Sequence, residues 1–408
     1  MIGLEGAIAQ SNERTLRASQ DAPCEKGIST MFQRSSSWAL RLACLGLLVA
    51  LAVGTIGLKA IFAAHAAAGP TKPSSTPTPN TTHRRIHQVK SHSTQVQGHT
   101  HTVTASNKAA SQTVRGKVVE FSIPTANAGP LGIVKGPDGA FWFTEAHSGK
   151  IGRITTRGVV TEFALTGPTP EFITVGPDGN LWFTELGGNN IGRLTPTGIL
   201  TEFPLPTPFA LPIGITKGPD GAIWFTESNG NNIGRITTNG FVTEFPLPTA
   251  NSSPITITAG PDGALWFTEQ TANQIGRIVL AGEVTEFPLP SANSQPVGIT
   301  AGRDGNFWFT EFNANKIGRL TPTGFFAEFG LPTPNSQPLI IISSSDGTLV
   351  FTEIHSSQIG RITLTGKVNE FPTLSSNASP RGITQGSGTV FWFAETSANK
   401  IGRITITH

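Results

Sequence analysis

The chain has 408 residues with 29 basic and 26 acidic side chains, a formal net charge of +3 and a pI near 9.0. The charge is unevenly divided, because residues 1–115 carry 12 basic and 4 acidic side chains and residues 116–408 carry 17 and 22. The C-terminal part is therefore acidic, and we expect no nucleic-acid partner for it. Both cysteines, Cys24 and Cys44, precede residue 116, so no disulfide can support that part.

Near the N-terminus, residues 42–58 contain no charged side chain. With their apolar flanks they predict one transmembrane signal-anchor helix over residues 38–64. Arg34 and Arg41 precede this segment and Lys59 follows it, which favours a cytoplasmic tail over residues 1–37 and an extracellular C-terminal part attached to the cell membrane. The alternative is a cleaved signal peptide, with a secreted protein as the product.

Residues 65–115 are rich in Thr, Ser, Pro and His and lack bulky apolar residues, so they predict a disordered linker. Residues 69–115 of this segment contain five histidines that a transition metal could bind: His83, His87, His92, His99 and His101. No cysteine or carboxylate accompanies them, so a soluble tether is the simpler interpretation.

From residue 116 onward the sequence repeats. The glutamate of a WFTE motif recurs at steps of 40, 42, 42, 42, 42 and 42 residues: Glu145, Glu185, Glu227, Glu269, Glu311, Glu353 and Glu395. Each unit has four short runs of β-branched and aromatic residues divided by Gly, Pro and Asn, as in GPDGALWFTEQTANQIGRI over 260–278. A period in the forties with four strands per unit predicts an all-β fold, a seven-bladed β-propeller of four-stranded blades over 116–408.

Both faces of the WFTE strand are bulky, which indicates a strand sandwiched between blades with its tryptophan as a wedge. The outer strand carries a second glutamate at the same period, and one period before Glu162 lies Glu120. The chain ends before an outer strand of the last blade could follow, so residues 116–124 are predicted to close blade seven.

These repeats resemble the virginiamycin B lyase family, also called streptogramin lyases. The resemblance implies a seven-bladed propeller. In members that are enzymes, it also implies Mg²⁺-dependent opening of cyclic streptogramin B antibiotics by elimination. It further implies a histidine base after the proline that opens a blade's first strand, a second histidine one blade earlier, a metal-binding glutamate just before the base, and the WFTE glutamate as another metal ligand.

The sequence departs from that pattern. The residues after the seven prolines are Leu131, Glu171, Ile213, Ile255, Val297, Leu339 and Arg381. The residues before them are Gly129, Thr169, Leu211, Ser253, Gln295, Gln337 and Ser379. The base and the first metal glutamate are thus absent, and Glu171, if exposed with a pKa of about 4, would be a weak base for a carbon acid.

The WFTE glutamates have two interpretations, a ring of carboxylates for a cation or structural pairs with the IGR arginines. We expect the pairs, Glu269 with Arg277 and Glu311 with Arg319. Residues that break the repeat are the better site candidates. We predict His147 and His355 as catalytic residues, Glu171 and Arg381 as ligand-binding residues, and Glu145 and Glu353 as metal ligands.

Two functions follow. The first is a membrane-anchored, monomeric binding or scaffold module for a small-molecule, peptide or cell-surface ligand. The alternative is a Mg²⁺-dependent carbon–oxygen lyase with relocated catalytic groups, and Mg²⁺ is the one cofactor that the resemblance implies.

Overall fold

The computed structural model of the chain describes residues 114–407. These residues form 28 strands in seven four-stranded antiparallel sheets, which confirms the predicted propeller. The predicted membrane helix over 38–64 and nearly all of the predicted linker lie outside the described residues. Within 114–407 there is no helix long and apolar enough to cross a membrane.

Four kinds of strand build each blade. The first strands are β2 (Pro130–Lys135), β6 (Pro170–Val175), β10 (Pro212–Lys217), β14 (Pro254–Ala259), β18 (Pro296–Ala301), β22 (Pro338–Ser343) and β26 (Pro380–Gln385). The second strands are β3 (Phe141–Glu145), β7 (Leu181–Glu185), β11 (Ile223–Glu227), β15 (Leu265–Glu269), β19 (Phe307–Glu311), β23 (Leu349–Glu353) and β27 (Val390–Glu395).

The outer half of each blade follows the same plan. The third strands are β4 (Lys150–Ile154), β8 (Asn190–Leu194), β12 (Asn232–Ile236), β16 (Gln274–Ile278), β20 (Lys316–Leu320), β24 (Gln358–Ile362) and β28 (Lys400–Thr407). The outer strands are β5 (Val160–Ala164), β9 (Leu200–Pro204), β13 (Val242–Pro246), β17 (Val284–Pro288), β21 (Phe326–Gly330), β25 (Val368–Pro372) and, for blade seven, β1 (Arg115–Ser122).

First strands of neighbouring blades contact each other around the ring, so they line a central channel. Each first strand starts where the second strand ends, as in the pair Pro130 and Glu145. We call this side the upper face. The lower face carries the GPDG turn between the first and second strands and the turn between the third and outer strands.

The second strands are buried along their whole length, and their tryptophans pack between blades as predicted. Trp224 of blade three lies in one apolar cluster with Ile257, Leu265 and Phe267 of blade four. Burial of an aromatic side chain is most favourable when both faces of its ring are covered. This explains why the motif is apolar on both sides of the strand.

Hydrogen bonds join each blade to the next. The outer-strand carboxylate of Glu244 accepts bonds from the backbone N–H and the hydroxyl of Thr207, at 3.0 and 2.7 Å. Thr226 of the WFTE motif donates to the carbonyl oxygen of Ile255 in the following blade, at 2.8 Å. The repeated polar side chains therefore stabilise the contacts between blades.

The ring is closed by hydrogen bonds of the same kind, which here join residues that are far apart in the chain. Strand β1 pairs with β28 from Arg115 opposite Thr407 to Ser122 opposite Lys400. Glu120 of β1 accepts hydrogen bonds from the N–H and hydroxyl of Ser375, at 2.6 and 2.7 Å. The N-terminal strand thus completes blade seven and covers the edge of β28 that would otherwise be open.

We predict that a protein beginning at Asn127 loses most of its stability, which for a domain is typically about 5–15 kcal/mol. It lacks β1 and the bonds of Glu120, so the ring cannot close. Thermal denaturation followed by circular dichroism measures the effect. A protein beginning at Ala110 is the control, and equal melting temperatures for the two would contradict this account of closure.

Candidate functional site at the upper mouth of the channel

The WFTE glutamates end the second strands at the upper face, and all seven are fully buried. Glu145 accepts a hydrogen bond from the Ser148 hydroxyl at 2.8 Å, and Glu227 accepts one from the Asn232 amide at 2.9 Å. In every one of the seven, at least one carboxyl oxygen has no hydrogen-bond partner among residues 114–407. The predicted metal ligands Glu145 and Glu353 belong to this set, and Ser356 donates to Glu353 at 2.9 Å.

The predicted pairing of these glutamates with the IGR arginines is wrong. Register places Arg277 opposite Trp266, at the other end of the strand from Glu269. Arg277 instead forms an ion pair with Asp262 of the GPDG turn, with 2.8 Å between Nε and Oδ2, and lies over the Trp266 ring. The arginines therefore belong to the lower face and leave the glutamates without a cationic partner of that kind.

Burial raises the pKa of all seven WFTE glutamates. The pKa rises to about 7 for Glu145, Glu185, Glu269, Glu311 and Glu353, and to about 8 for Glu227 and Glu395. The outer-strand glutamate of the same sheet adds to the effect, as Glu244 does for Glu227. At pH 7 the five groups with a pKa of about 7 are about half protonated and the two with a pKa of about 8 are mostly protonated, which suits a buried scaffold position better than an exposed ring of negative charge.

We predict that the protein is less stable at pH 8 than at pH 5. A carboxyl whose pKa is higher in the folded state holds its proton between the unfolded value of 4.5 and the folded value of about 7 to 8, so stability falls as pH rises through that window. Melting temperatures between pH 5 and pH 8.5 measure this dependence.

Replacement Glu227→Gln should make the decline with pH smaller, because one titrating group is removed. The matched control is Glu283→Gln in an exposed turn, which should leave the slope unchanged. A flat profile in the unmodified protein would show that the glutamates ionise freely and would contradict their assignment as buried scaffold groups.

Glu171 and Arg381 lie near enough for their charges to influence each other, but they form no ion pair within residues 114–407. Both follow the proline that opens a first strand, Glu171 in blade two and Arg381 in blade seven, with blade one between them. Each is half-buried in the channel wall. Burial raises the pKa of Glu171 to about 7 against the opposing charge of Arg381, and burial lowers the pKa of Arg381 against the charge of Glu171.

This environment corrects the expectation that Glu171 is an exposed carboxylate with a pKa of about 4. The sequence shows its position but not its desolvation, which depends on how narrow the channel is. Arg381 adds a second signal, because its Nε is buried and has no hydrogen-bond partner within residues 114–407. A charged donor without an acceptor, beside a carboxyl with an unusual pKa, is typical of a binding site.

The two candidate histidines lie on exposed loops at the upper face. The ring of His147 covers Gly129, where an added β-carbon would lie 2.5 Å from Cγ and Nδ1 of the imidazole. His147 therefore occupies the space that a side chain at position 129 would need, beside the channel wall. His355 lies in blade six, and blade seven separates it from blade one, so no direct interaction joins the two histidines among the described residues.

Sequence reasoning missed the backbone conformation of the residues before the seven prolines. All seven have positive φ, from 50° at Ser379 to 64° at Gly129, and six of them are not glycine. A left-handed conformation costs roughly 1–2 kcal/mol for residues such as Leu211 and Thr169. The upper mouth is thus built from strained backbone, a feature that clusters at functional sites and that residue type alone did not reveal.

The side chains of residues 114–407 do not by themselves form a metal centre. Mg²⁺ requires several oxygen ligands in near-octahedral geometry. The described residues 114–407 contain no group of three or more His, Cys, Asp or Glu side chains placed to hold a metal ion. The WFTE carboxyls are distributed one to a blade, so the side chains present do not by themselves form a ligand set for Mg²⁺.

Fold and site together define a seven-bladed propeller in which residues that differ from blade to blade lie at one mouth of the channel. The sequence model of the virginiamycin B lyase family matches residues 88–260 and 248–408 of this chain. The chain belongs to the virginiamycin B lyase family.

Solved structures agree with this assignment. A selenomethionine-substituted virginiamycin B lyase from Staphylococcus aureus is 43% identical with a TM-score of 0.70, covering 72% of this chain and 100% of that one. A catalytically inactive variant of the enzyme from the same organism, with quinupristin, is 43% identical with a TM-score of 0.69 over the same shares of both chains.

A curated relative matches over a shorter stretch. The virginiamycin B lyase of Saccharopolyspora erythraea is 45% identical over 49 residues, which span 12% of this chain and 16% of that relative's length.

Proposed function

We propose that this protein is an extracytoplasmic ligand-binding member of the virginiamycin B lyase family, without the full catalytic set of its enzymes. The observation that carries the proposal is the pair Glu171 and Arg381 in the channel wall. They stand at positions where the family resemblance implies a histidine base. Two half-buried side chains of opposite charge, one of them with an unsatisfied guanidinium Nε, support recognition of a polar ligand.

The ligand class that fits best is a peptide-like molecule. Glu171 can accept hydrogen bonds from amide N–H groups, and Arg381 can donate to carbonyl oxygens. The half-buried Ile213 and Leu339, at the matching positions of blades three and six, supply apolar surface around them. The relative with quinupristin, whose fold this chain shares, adds a specific molecule with which to test the idea.

Catalysis by elimination is the second candidate, and one observation favours it. A pKa of about 7 makes Glu171 a more competent base at neutral pH than an ordinary carboxylate. His147, seated on Gly129, is another group able to accept a proton. Against this stand the absence of histidine after every one of the seven prolines and the dispersed carboxyls, so binding remains the favoured function.

We predict little or no lyase activity. Loss of a positioned base alone lowers the rate by roughly 10²–10⁴-fold. The purified protein is incubated with quinupristin and Mg²⁺, and the products are followed by chromatographic retention and fragmentation, because elimination leaves the mass unchanged. Binding is measured in parallel by calorimetry. The expected result is saturable binding without conversion.

Matched variants separate the two functions. Glu171→Leu with Arg381→Leu, which introduces apolar residues like those of other blades, should weaken binding roughly tenfold or more. Replacement Ile255→Leu in blade four is the control and should leave binding unchanged. Metal-dependent conversion that disappears in Glu171→Gln or His147→Ala would overturn the binding function and establish a relocated base.

Membrane attachment forms part of the proposal. The uncharged run over 42–58 and the arginines that precede it support a retained anchor with the propeller outside the cell. We expect protease added to intact cells to release a fragment close to residues 116–408. Mature protein in the medium that begins near Gly69 would instead establish cleavage of a signal peptide.

A further inference from the structure

The GPDG turn of the lower face provides a carboxylate to two donors of its own blade. In blade one, Asp138 accepts a hydrogen bond from the Trp142 indole N–H at 3.1 Å and pairs with Arg153 Nε at 2.6 Å. Blades three and four repeat both contacts: Asp220 with Trp224 at 3.1 Å and Arg235 at 2.7 Å, and Asp262 with Trp266 at 3.2 Å and Arg277 at 2.8 Å. In blades two and five the indole still donates to the aspartate: Trp182 to Asp178 at 3.0 Å and Trp308 to Asp304 at 3.2 Å.

Blade seven has the donors but lacks the carboxylate. Its turn and second strand read GSGTVFWFAE over 386–395, so Gly388 stands at the aspartate position. Arg403 still lies over Trp392, 5.5 Å from the ring centroid, and its Nη1 donates to the carbonyl of Thr156 at 3.3 Å. Within residues 114–407 the Trp392 indole N–H has no acceptor. Arg403 has no ion pair, and it bonds to a turn carbonyl of the next blade as Arg193 and Arg319 do in blades two and five. The indole N–H is therefore the donor that lacks its usual partner.

A cavity of about 460 Å³ opens at this place, between blades seven and one. Its lining includes Trp392, Arg403, Phe141 and Lys135, and it contains no carboxylate side chain. The turn of blade seven also lies farther from its tryptophan indole than the matching turn of blade one does. A β-carbon added to Gly386 would lie 3.3 Å from Trp392 Nε1, against 2.4 Å between the matching atoms at Gly136 and Trp142. The missing aspartate therefore leaves space, an unpaired indole N–H and an arginine without a carboxylate partner.

The charge of the cavity is positive. Arg403 is half-buried, and Lys135 is exposed with its Nζ 3.4 Å from the carbonyl of Gly386. The nearest turn of blade one contains Asp138, but both of its oxygens are already bonded to Trp142 and Arg153. Phe141 and Trp392 are almost fully buried at the base of the cavity, with their rings stacked at 4.5 Å. The half-buried Val390 supplies apolar surface in the lining.

We propose that this cavity binds the carboxylate group of a small organic acid, which replaces the aspartate that blade seven lacks. One carboxylate oxygen accepts from the Trp392 indole N–H and the other from the Arg403 guanidinium, as the Asp138 oxygens do in blade one. Lys135 contributes further positive charge, and the apolar body of the acid packs against Val390. The volume exceeds that of a lone ion and falls within the range of about 300–1,000 Å³ typical of small-molecule sites.

The test uses the full chain in detergent and 4-fluorobenzoate as probe, with binding followed by ¹⁹F NMR. Neutral 4-fluorobenzamide and inorganic phosphate are the matched compounds. We expect saturable binding of the benzoate, binding of the benzamide weaker by roughly tenfold or more, and no competition by phosphate at equal concentration. Equal binding of the benzamide, effective competition by phosphate, or no saturable binding of the benzoate would each overturn the proposal.

Two variants locate the site. Replacement Gly388→Asp puts an aspartate at the sequence position that Asp138 holds in blade one, and the position has room for it because an added β-carbon meets no heavy atom within 4 Å. Aspartate also tolerates the positive φ of 56° at this position better than most residues. Replacement Arg403→Gln removes the charged donor. Both should weaken benzoate binding roughly tenfold or more.

The control is Arg319→Gln in blade five, where the arginine lies over Trp308 in the same way but the indole is bonded to Asp304. This replacement should leave benzoate affinity unchanged. Because it also removes an arginine–ring contact, it controls for any loss of stability that Arg403→Gln causes. If Arg403→Gln does not fold, Gly388→Asp remains decisive. Benzoate affinity that Gly388→Asp leaves unaltered would place the site elsewhere and contradict the proposal.

Discussion

Burial of the second strand on both faces is the constraint on which the rest of this structure depends. A tryptophan packed between two blades gains from contact on both ring faces, but its indole N–H must still find an acceptor. In blade one the GPDG aspartate provides that acceptor, and the same carboxylate holds the arginine over the ring. Turn, wedge and arginine thus form one unit, which is complete in blades one, three and four and partly repeated in the other blades.

Much of the fold could be predicted from the sequence because the period of 42 residues fixes strand number and blade number together. The same repeat also predicted that the tryptophans pack between blades and that the N-terminal strand gives the last blade its fourth strand. The pairing of Glu269 with Arg277 failed because spacing along the chain does not reveal which residues face each other across a hairpin. The structure places Arg277 beside Trp266 and leaves Glu269 at the opposite end.

The candidate site was predictable in position but not in chemistry. Glu171 and Arg381 stood out because they interrupt an apolar set of residues. Their mutual influence and the raised pKa of Glu171 depend on the enclosure of the channel, which no local pattern contains. The left-handed residues before each proline were equally hidden, since Leu211 and Thr169 are unusual choices for that conformation. The scaffold of the family is therefore retained, while the groups at the channel mouth differ from those that the resemblance implies for its enzymes.

The WFTE glutamates are buried scaffold groups, and we propose that the upper mouth binds a ligand without metal-dependent chemistry. Calorimetric titration of the full chain with Mg²⁺ tests this claim most directly, with Glu145→Gln and Glu353→Gln as matched variants. The account predicts no saturable binding at millimolar Mg²⁺ in any of the three proteins. Stoichiometric binding that either substitution abolishes would contradict it and would assign those glutamates to a metal centre.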